Sequence, residues 1–206
     1  KSIAVLPFEN LSSDKESGIG NWSVEDMRQY LTTGHTQNRG SAFGPMAQAV
    51  HLSFQKMTPS DIDSLIEYVR SVPPVSTPDL PAPKLELASD HPGSHPASES
   101  NPRGHAIFAS MCIGCHSWTG VNDFVRHSTL TGTRAVNDPT ATNVALAVLK
   151  GASLLPPSGE IAVMPAFGDT YSDDEIADVA NYVIARFGAK PSSITGEEVR
   201  KVREVR

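Results

Sequence analysis

Cysteine is nearly absent from this sequence: it occurs twice, at positions 112 and 115, so a disulfide framework cannot staple the fold. Basic residues are in deficit, 17 Lys and Arg against 23 Asp and Glu. The resulting formal charge of −6 argues against nucleic acid, which needs a basic footprint on its partner. Long apolar runs are missing. The longest, residues 144–149 and 161–167, fall far short of the roughly 20 residues of a membrane span. The chain does not open on a basic-then-apolar leader pattern. No Ser/His/Asp set, carboxylate pair or phosphate-binding glycine loop stands out. What is present suffices for a core: 39% apolar residues and 15 glycines in 206 residues, a length of one or two domains.

Proline divides the chain. Eight of its 16 prolines fall between Pro73 and Pro102, among Ser, Asp and His and without an apolar period. Residues 76–100 therefore read as a Pro/Ser-rich linker, with His91 and His95 solvated in it. Residues 1–17 read as a strand-like tail belonging to neither flanking unit, residues 18–75 and 101–190 as the two folded units, and residues 191–206 as a charged tail, helical or frayed.

The second unit reads as helical. Asn101 caps a first helix with Pro102 at its first position, and Ile107, Phe108, Met111, Cys112 and Cys115 fall on one face at helical spacing. A middle helix is expected over residues 139–150, capped by Asp138, with Val144 and Val148 inward and Gly151 at its end. A last helix starts at Ser172 with Glu175 completing a capping box. Ile176, Val179, Ala180, Val183, Ile184 and Phe187 form its apolar stripe, and Gly188 stops it.

The first unit repeats the end of this pattern. Thr58 caps, Pro59 starts a helix, and Ile62, Leu65, Ile66 and Val69 make the stripe. Met46 follows Gly34 by 12 residues, and Met164 follows Gly151 by 13. Both methionines adjoin a proline. The copy is incomplete, because nothing before Gly34 resembles residues 112–116.

Cys112-Ile-Gly-Cys115-His116 is the covalent haem attachment pattern. Two thiols three residues apart can each reach a haem vinyl group and form a thioether, and the adjacent imidazole then lies below the iron. A thioredoxin-type redox pair wants a strand–helix junction in a βαβ setting. A structural zinc site wants four ligands, usually two such pairs. A local disulfide leaves His116 unexplained. A second axial ligand is offered by Met164, 48 residues after His116, in the loop before the last helix. Its thioether is a soft neutral donor, and His/Met ligation raises the reduction potential of haem iron.

On these residues, positions 101–188 resemble a class I cytochrome c domain, an all-α fold. Gly104 and Phe108 stand before the cysteines as in that family's first helix, Tyr182 stands where its last helix carries an aromatic, and Leu130-Thr-Gly132 resembles the loop under the proximal haem face. The family often has prolines before that leucine, one carbonyl of which accepts the axial histidine's N–H. This chain has Ser128 and Thr129, either of which can supply a carbonyl. The larger arrangement, a partial cytochrome c-like half-domain, a linker and a complete domain, resembles the multi-haem cytochrome c subunits of bacterial membrane-bound dehydrogenases for alcohol, gluconate, aldehyde or nicotinate.

That resemblance implies one covalent haem c on Cys112 and Cys115, with His116 and Met164 on the iron. It implies an electron carrier rather than an enzyme, and a periplasmic setting. The partners it implies are a dehydrogenase catalytic subunit on one side and a quinone or terminal oxidase on the other, with membrane association only through partners or other segments. Met46 would be the distal methionine of a second haem, but no CxxCH precedes it. No stable haem is expected there, and residues 18–75 are expected to pack loosely or to dock on the complete domain. His35, His51, His105 and His127 are read as surface or packing residues. The alternative class is a haem-based sensor with a displaceable distal ligand. A peroxidase-like enzyme would likewise need an open iron position.

Overall fold

The computed structural model describes residues 19–37, 39–72, 81–91, 93, 95–159 and 161–204. Residues 1–17, expected to be strand-like, lie outside them. Among the described residues the fold is all-α apart from two short hairpins.

In the first unit, α1 (Val24–Thr33) starts at Ser23, whose side chain accepts from Asp26 N–H while the Asp26 carboxylate accepts from Ser23 N–H. It ends at Gly34 with φ 77, a conformation that glycine adopts without strain. Strands β1 (His35–Thr36) and β2 (Gly40–Ser41) follow as an antiparallel pair. Next come α2 (Gly44–Leu52), a 3-10 turn (Phe54–Lys56) and α3 (Pro59–Ser71), the last capped by Thr58 and Asp61.

This unit is not loosely packed. Met27, Leu31, Met46, Val50, Ile62 and Ile66 are buried in one cluster. The apolar stripe of α3 is covered by α1, and Arg28 pairs with Asp63 at 2.7 Å across the two helices.

The second unit opens with α4 (Pro96–Ser100) and α5 (Pro102–Ile107), a π-helical turn (Phe108–Cys112) and α6 (Ile113–His116). The π turn corrects the expected single face. Ile113 N–H reaches back five residues to Phe108 O, which inserts an extra residue into the winding. Ile107 and Phe108 are buried as expected, whereas Met111 is 48% exposed.

A 3-10 turn (Arg126–Ser128) precedes α7 (Thr142–Lys150), which begins three residues later than its sequence suggests. Asp138 accepts from Thr140 N–H at 2.9 Å instead and closes a turn, so Ala141, at φ 58, becomes the cap residue. Strands β3 (Ala152–Leu154) and β4 (Ala162–Met164) pair antiparallel, with Ala152 opposite Met164 and Leu154 opposite Ala162.

Helix α8 (Asp173–Phe187) carries the Ser172/Glu175 capping box, and its stripe is buried. It packs closely on α5. A Cβ on Gly104 would lie 2.8 Å from Tyr182 Cβ, so only glycine lets the backbones approach this far. Asn101, the α5 cap, also donates to Asp178 O at 2.8 Å and ties the two helices together.

Two segments read as peripheral are part of the second unit. Residues 81–91 and 95–100 do not run free. Lys84 N–H donates to the buried Asn137 Oδ1 at 2.9 Å, Arg134 donates to Pro81 O, and Ala88 and Ala97 are buried in the second core. Extended proline-rich backbone leaves N–H and C=O groups without partners, and side chains of the second unit supply them. His95, read as idle, accepts from Ala97 N–H and caps α4. The charged tail forms α9 (Gly196–Glu204), docked through the buried Val199. Among the described residues no helix is long and apolar enough to cross a membrane.

Candidate haem site

A cavity of about 300 Å3 is lined by Cys112, Cys115, His116 and Met164, with Phe108, Val144, Val148, Val179 and Val183 among its apolar walls. The four residues singled out from the sequence thus meet in one place although they lie on α6, the π turn and the end of β4. Met111, turned by the π turn, lines it as well.

The histidine is oriented from behind. His116 Nδ1 lies 2.6 Å from Ser128 O, which can only accept, so Nδ1 carries the proton and Nε2 keeps its lone pair free. Burial pushes the ring toward its neutral form, partly opposed by that hydrogen bond. The carbonyl that the sequence left between Ser128 and Thr129 is therefore that of Ser128. The Ser128 hydroxyl lies 2.5 Å from Cys115 O, which ties this turn to the cysteine motif. Directly after His116 the chain turns away at Ser117, with φ 59.

The thiols are free, Cys112 half-buried and Cys115 exposed. Burial, then the neighbouring Cys115, pushes the Cys112 thiol up to about 11. A thioredoxin-type pair depends on a shift in the other direction. Among the described residues no three His, Cys, Asp or Glu side chains come together to cage a bare metal ion.

Met164 is placed by its hairpin and by backbone contacts beyond it. Phe167 N–H donates to Val148 O at 2.9 Å and Gly168 N–H to Leu149 O at 3.2 Å. At Gly151, φ 68, a Cβ would lie 2.5 Å from Met164 O and 2.8 Å from Ala166 N, so glycine is needed where α7 meets the methionine segment. Arg203 of α9 donates to Gly168 O, Tyr171 O and the Asp173 carboxylate, fastening the following loop. The only trace of this role for Arg203 in the sequence is an arginine on a helix of high charge.

The first unit contributes to the same cavity through Trp22, Tyr30, Arg39 and Met46. Met46 itself is 4% exposed and sits in α2. Its residues, with those of the second unit, fit an iron porphyrin. Apolar walls suit the ring, a thiol pair suits the vinyl groups, and imidazole and thioether suit the metal. Among the described residues, Arg39 and Arg134 are the charged side chains other than histidine that line the cavity, donors suited to the carboxylates such a ring carries. His35 and His127, expected on the surface or in packing, face each other between the units with ring centroids 4.9 Å apart. His105 packs between Trp118 and Tyr182.

The fold and the cavity of the second unit are consistent with a class I cytochrome c domain. Residues 99–183 match the family described as cytochrome C oxidase, cbb3-type, subunit III. The whole chain is similar to cytochrome subunits of bacterial dehydrogenases. It is 30% identical to the fructose dehydrogenase cytochrome subunit of Gluconobacter japonicus, over 94% of this chain and 43% of that protein. It is 28% identical to the cytochrome c subunit of the quinone alcohol dehydrogenase of Komagataeibacter europaeus, over 95% and 42%. It is also 28% identical to the gluconate 2-dehydrogenase cytochrome c subunit of Pantoea cypripedii, over 95% and 44%. The chain spans about two fifths of the length of these relatives, 42–44%.

Proposed function

We propose that the second unit carries single electrons on one covalently held haem c. Cys112 and Cys115 would hold the ring as thioethers, and His116 Nε2 and the Met164 sulfur would bind the iron. The haem supplies the ferric/ferrous couple. The chain supplies an apolar enclosure, a neutral imidazole and a soft sulfur that favours the reduced state. With His116 and Met164 both held by the iron, no position would be left for oxygen or a substrate, and the domain would relay electrons rather than turn over a molecule. The observation that carries this reading is the hydrogen bond from His116 Nδ1 to Ser128 O, which presents Nε2 to the cavity that both thiols and Met164 line.

The donor of electrons is a dehydrogenase catalytic subunit, as the names of the similar proteins suggest. The acceptor is a quinone or a terminal oxidase. Thioether haem of this kind is attached outside the bacterial cytoplasm, which puts the domain in the periplasm.

The test is haem linkage and count. The matured protein should show an intact mass raised by one haem and a pyridine haemochrome of one per chain. The haem should resist acid-acetone extraction, and replacing Cys112 and Cys115 with Ala should make it extractable. Retention in that double variant contradicts the thioether assignment. Rapid carbon monoxide binding to the ferrous protein at neutral pH would instead support a sensor.

A further inference from the structure

We infer that the first unit braces the Met164 arm of the haem site, with Leu154 as the positioning residue. The inference rests on the His116/Met164 reading above and adds a role for a part of the chain that holds no haem motif of its own among the described residues.

Met164 ends β4, and its hairpin has three pairs: Ala152 with Met164, Ser153 with Val163, and Leu154 with Ala162. A two-stranded hairpin of this size has little stability of its own, so whatever its ends and side chains grip sets its position. One grip is at the Gly151 end, in the second unit. The other is Leu154, whose side chain leaves the second unit altogether. It is 3% exposed and belongs to the core of the first unit, together with Met46, Val50 and Ile62. The fit is close, since a Cβ on Gly34 would lie 3.1 Å from Leu154 Cδ2. Gln55 Nε2 donates to Leu155 O at 2.9 Å beside it. Val163, between the two in the hairpin, is 62% exposed, so the outer face supplies no comparable anchor.

A brace needs a second foot. On the other side of the cavity Ser41 Oγ donates to His127 O at 2.8 Å, one residue before the carbonyl that orients His116. The first unit therefore spans from the segment behind the histidine to the hairpin that presents the methionine. Loss of the Leu154 contact would loosen the hold on the Met164 sulfur, and an added ligand would then compete better for the iron.

The experiment uses the whole chain with its haem attached. It reads the sulfur-to-iron charge-transfer band of the ferric form and the affinity for added imidazole. Leu154→Ala should weaken the band and tighten imidazole binding about tenfold. Leu154→Met, which keeps the volume, should restore both. Gln55→Ala, which removes one hydrogen bond without opening a core, should tighten imidazole binding about two- to threefold. A folded Leu154→Ala variant with unchanged band and affinity overturns the brace. Should that variant not fold, an unchanged affinity in Gln55→Ala overturns it. Met164→Ala serves as the control on the underlying reading: an unchanged band there shows that Met164 is no ligand, whatever the Leu154 variants do.

Discussion

Met46 and Met164 close two similar runs of sequence, yet the two units give them different surroundings. In each, a helix ends at a glycine of positive φ, a two-stranded hairpin follows, and a capped helix comes later. Met164 ends a strand, followed by Pro165, and faces a cavity that also holds two thiols and an oriented imidazole. Met46 lies in the first turn of α2, preceded by Pro45; it also borders that cavity, but it is 4% exposed and belongs to the core of its own unit, whereas Met164 only packs against the edge of the second core. A methionine near a proline is thus a ligand candidate where it ends a strand at the cavity, and packing where its own unit buries it. Met46 has no CxxCH before it in this sequence and serves as filler, the role to which a flexible thioether is well suited.

The comparison breaks most sharply at the two methionines. Met164→Ala should abolish the sulfur-to-iron band and lower the midpoint potential by something on the order of 0.1 V, within the ~0.8 V range that axial ligands set. Met46→Ala should leave band and potential in place and instead cost about 2–5 kcal/mol of stability, read by denaturant unfolding. A change of spectrum in the Met46 variant would erase the distinction between the units. Next in size is Gly104→Ala. Its Cβ would press on Tyr182 and on the Asp178 carbonyl, so it should cost about 1–3 kcal/mol and reduce the yield of haem-loaded protein.

The smallest effect concerns the seam between the units. Burial, then the facing His127, pushes the His35 ring from 6.5 down to about 4, with Arg126 adding to the shift and a hydrogen bond involving the Gly40 backbone opposing it. The unfolded chain takes up this proton near its ordinary pKa, and the folded chain only near 4. Stability from this group is therefore full above about 6.5 and is lost as the pH falls toward about 4. Thermal unfolding should show a decrease of ~2–4 °C across that window, and His35→Gln should flatten it.

Local chemistry made much of this molecule legible. The caps at Thr58, Asn101 and Ser172 act over three residues, and so does the spacing of Cys112 and Cys115. Such features are written next to each other in the chain. The rest depends on partners far away in sequence. Nothing near Leu154 announces that it will be buried in the first unit. Nothing near Ser89 announces that its carbonyl will meet Arg186, 97 residues on. The π turn escaped because its residues suit an ordinary helix and the packing around Phe108 decides the winding. The choice of Ser128 over Thr129 is set by a turn whose geometry depends on contacts with Cys115.

Arg186 ties the segment before Asn101 into the second unit. Its guanidinium is fully buried and donates to Trp118 O and to Ser89 O, the latter at 2.6 Å, while stacking over the Trp118 ring. Trimming the protein at Asn101, where the haem-bearing helices begin, would remove one acceptor of a positive charge that water cannot reach. It would also uncover the patches now roofed by Ala88 and Ala97. A graft of this domain onto another redox chain therefore has to carry residues 81–91 and 95–100, the overcoat that covers this charge and this core.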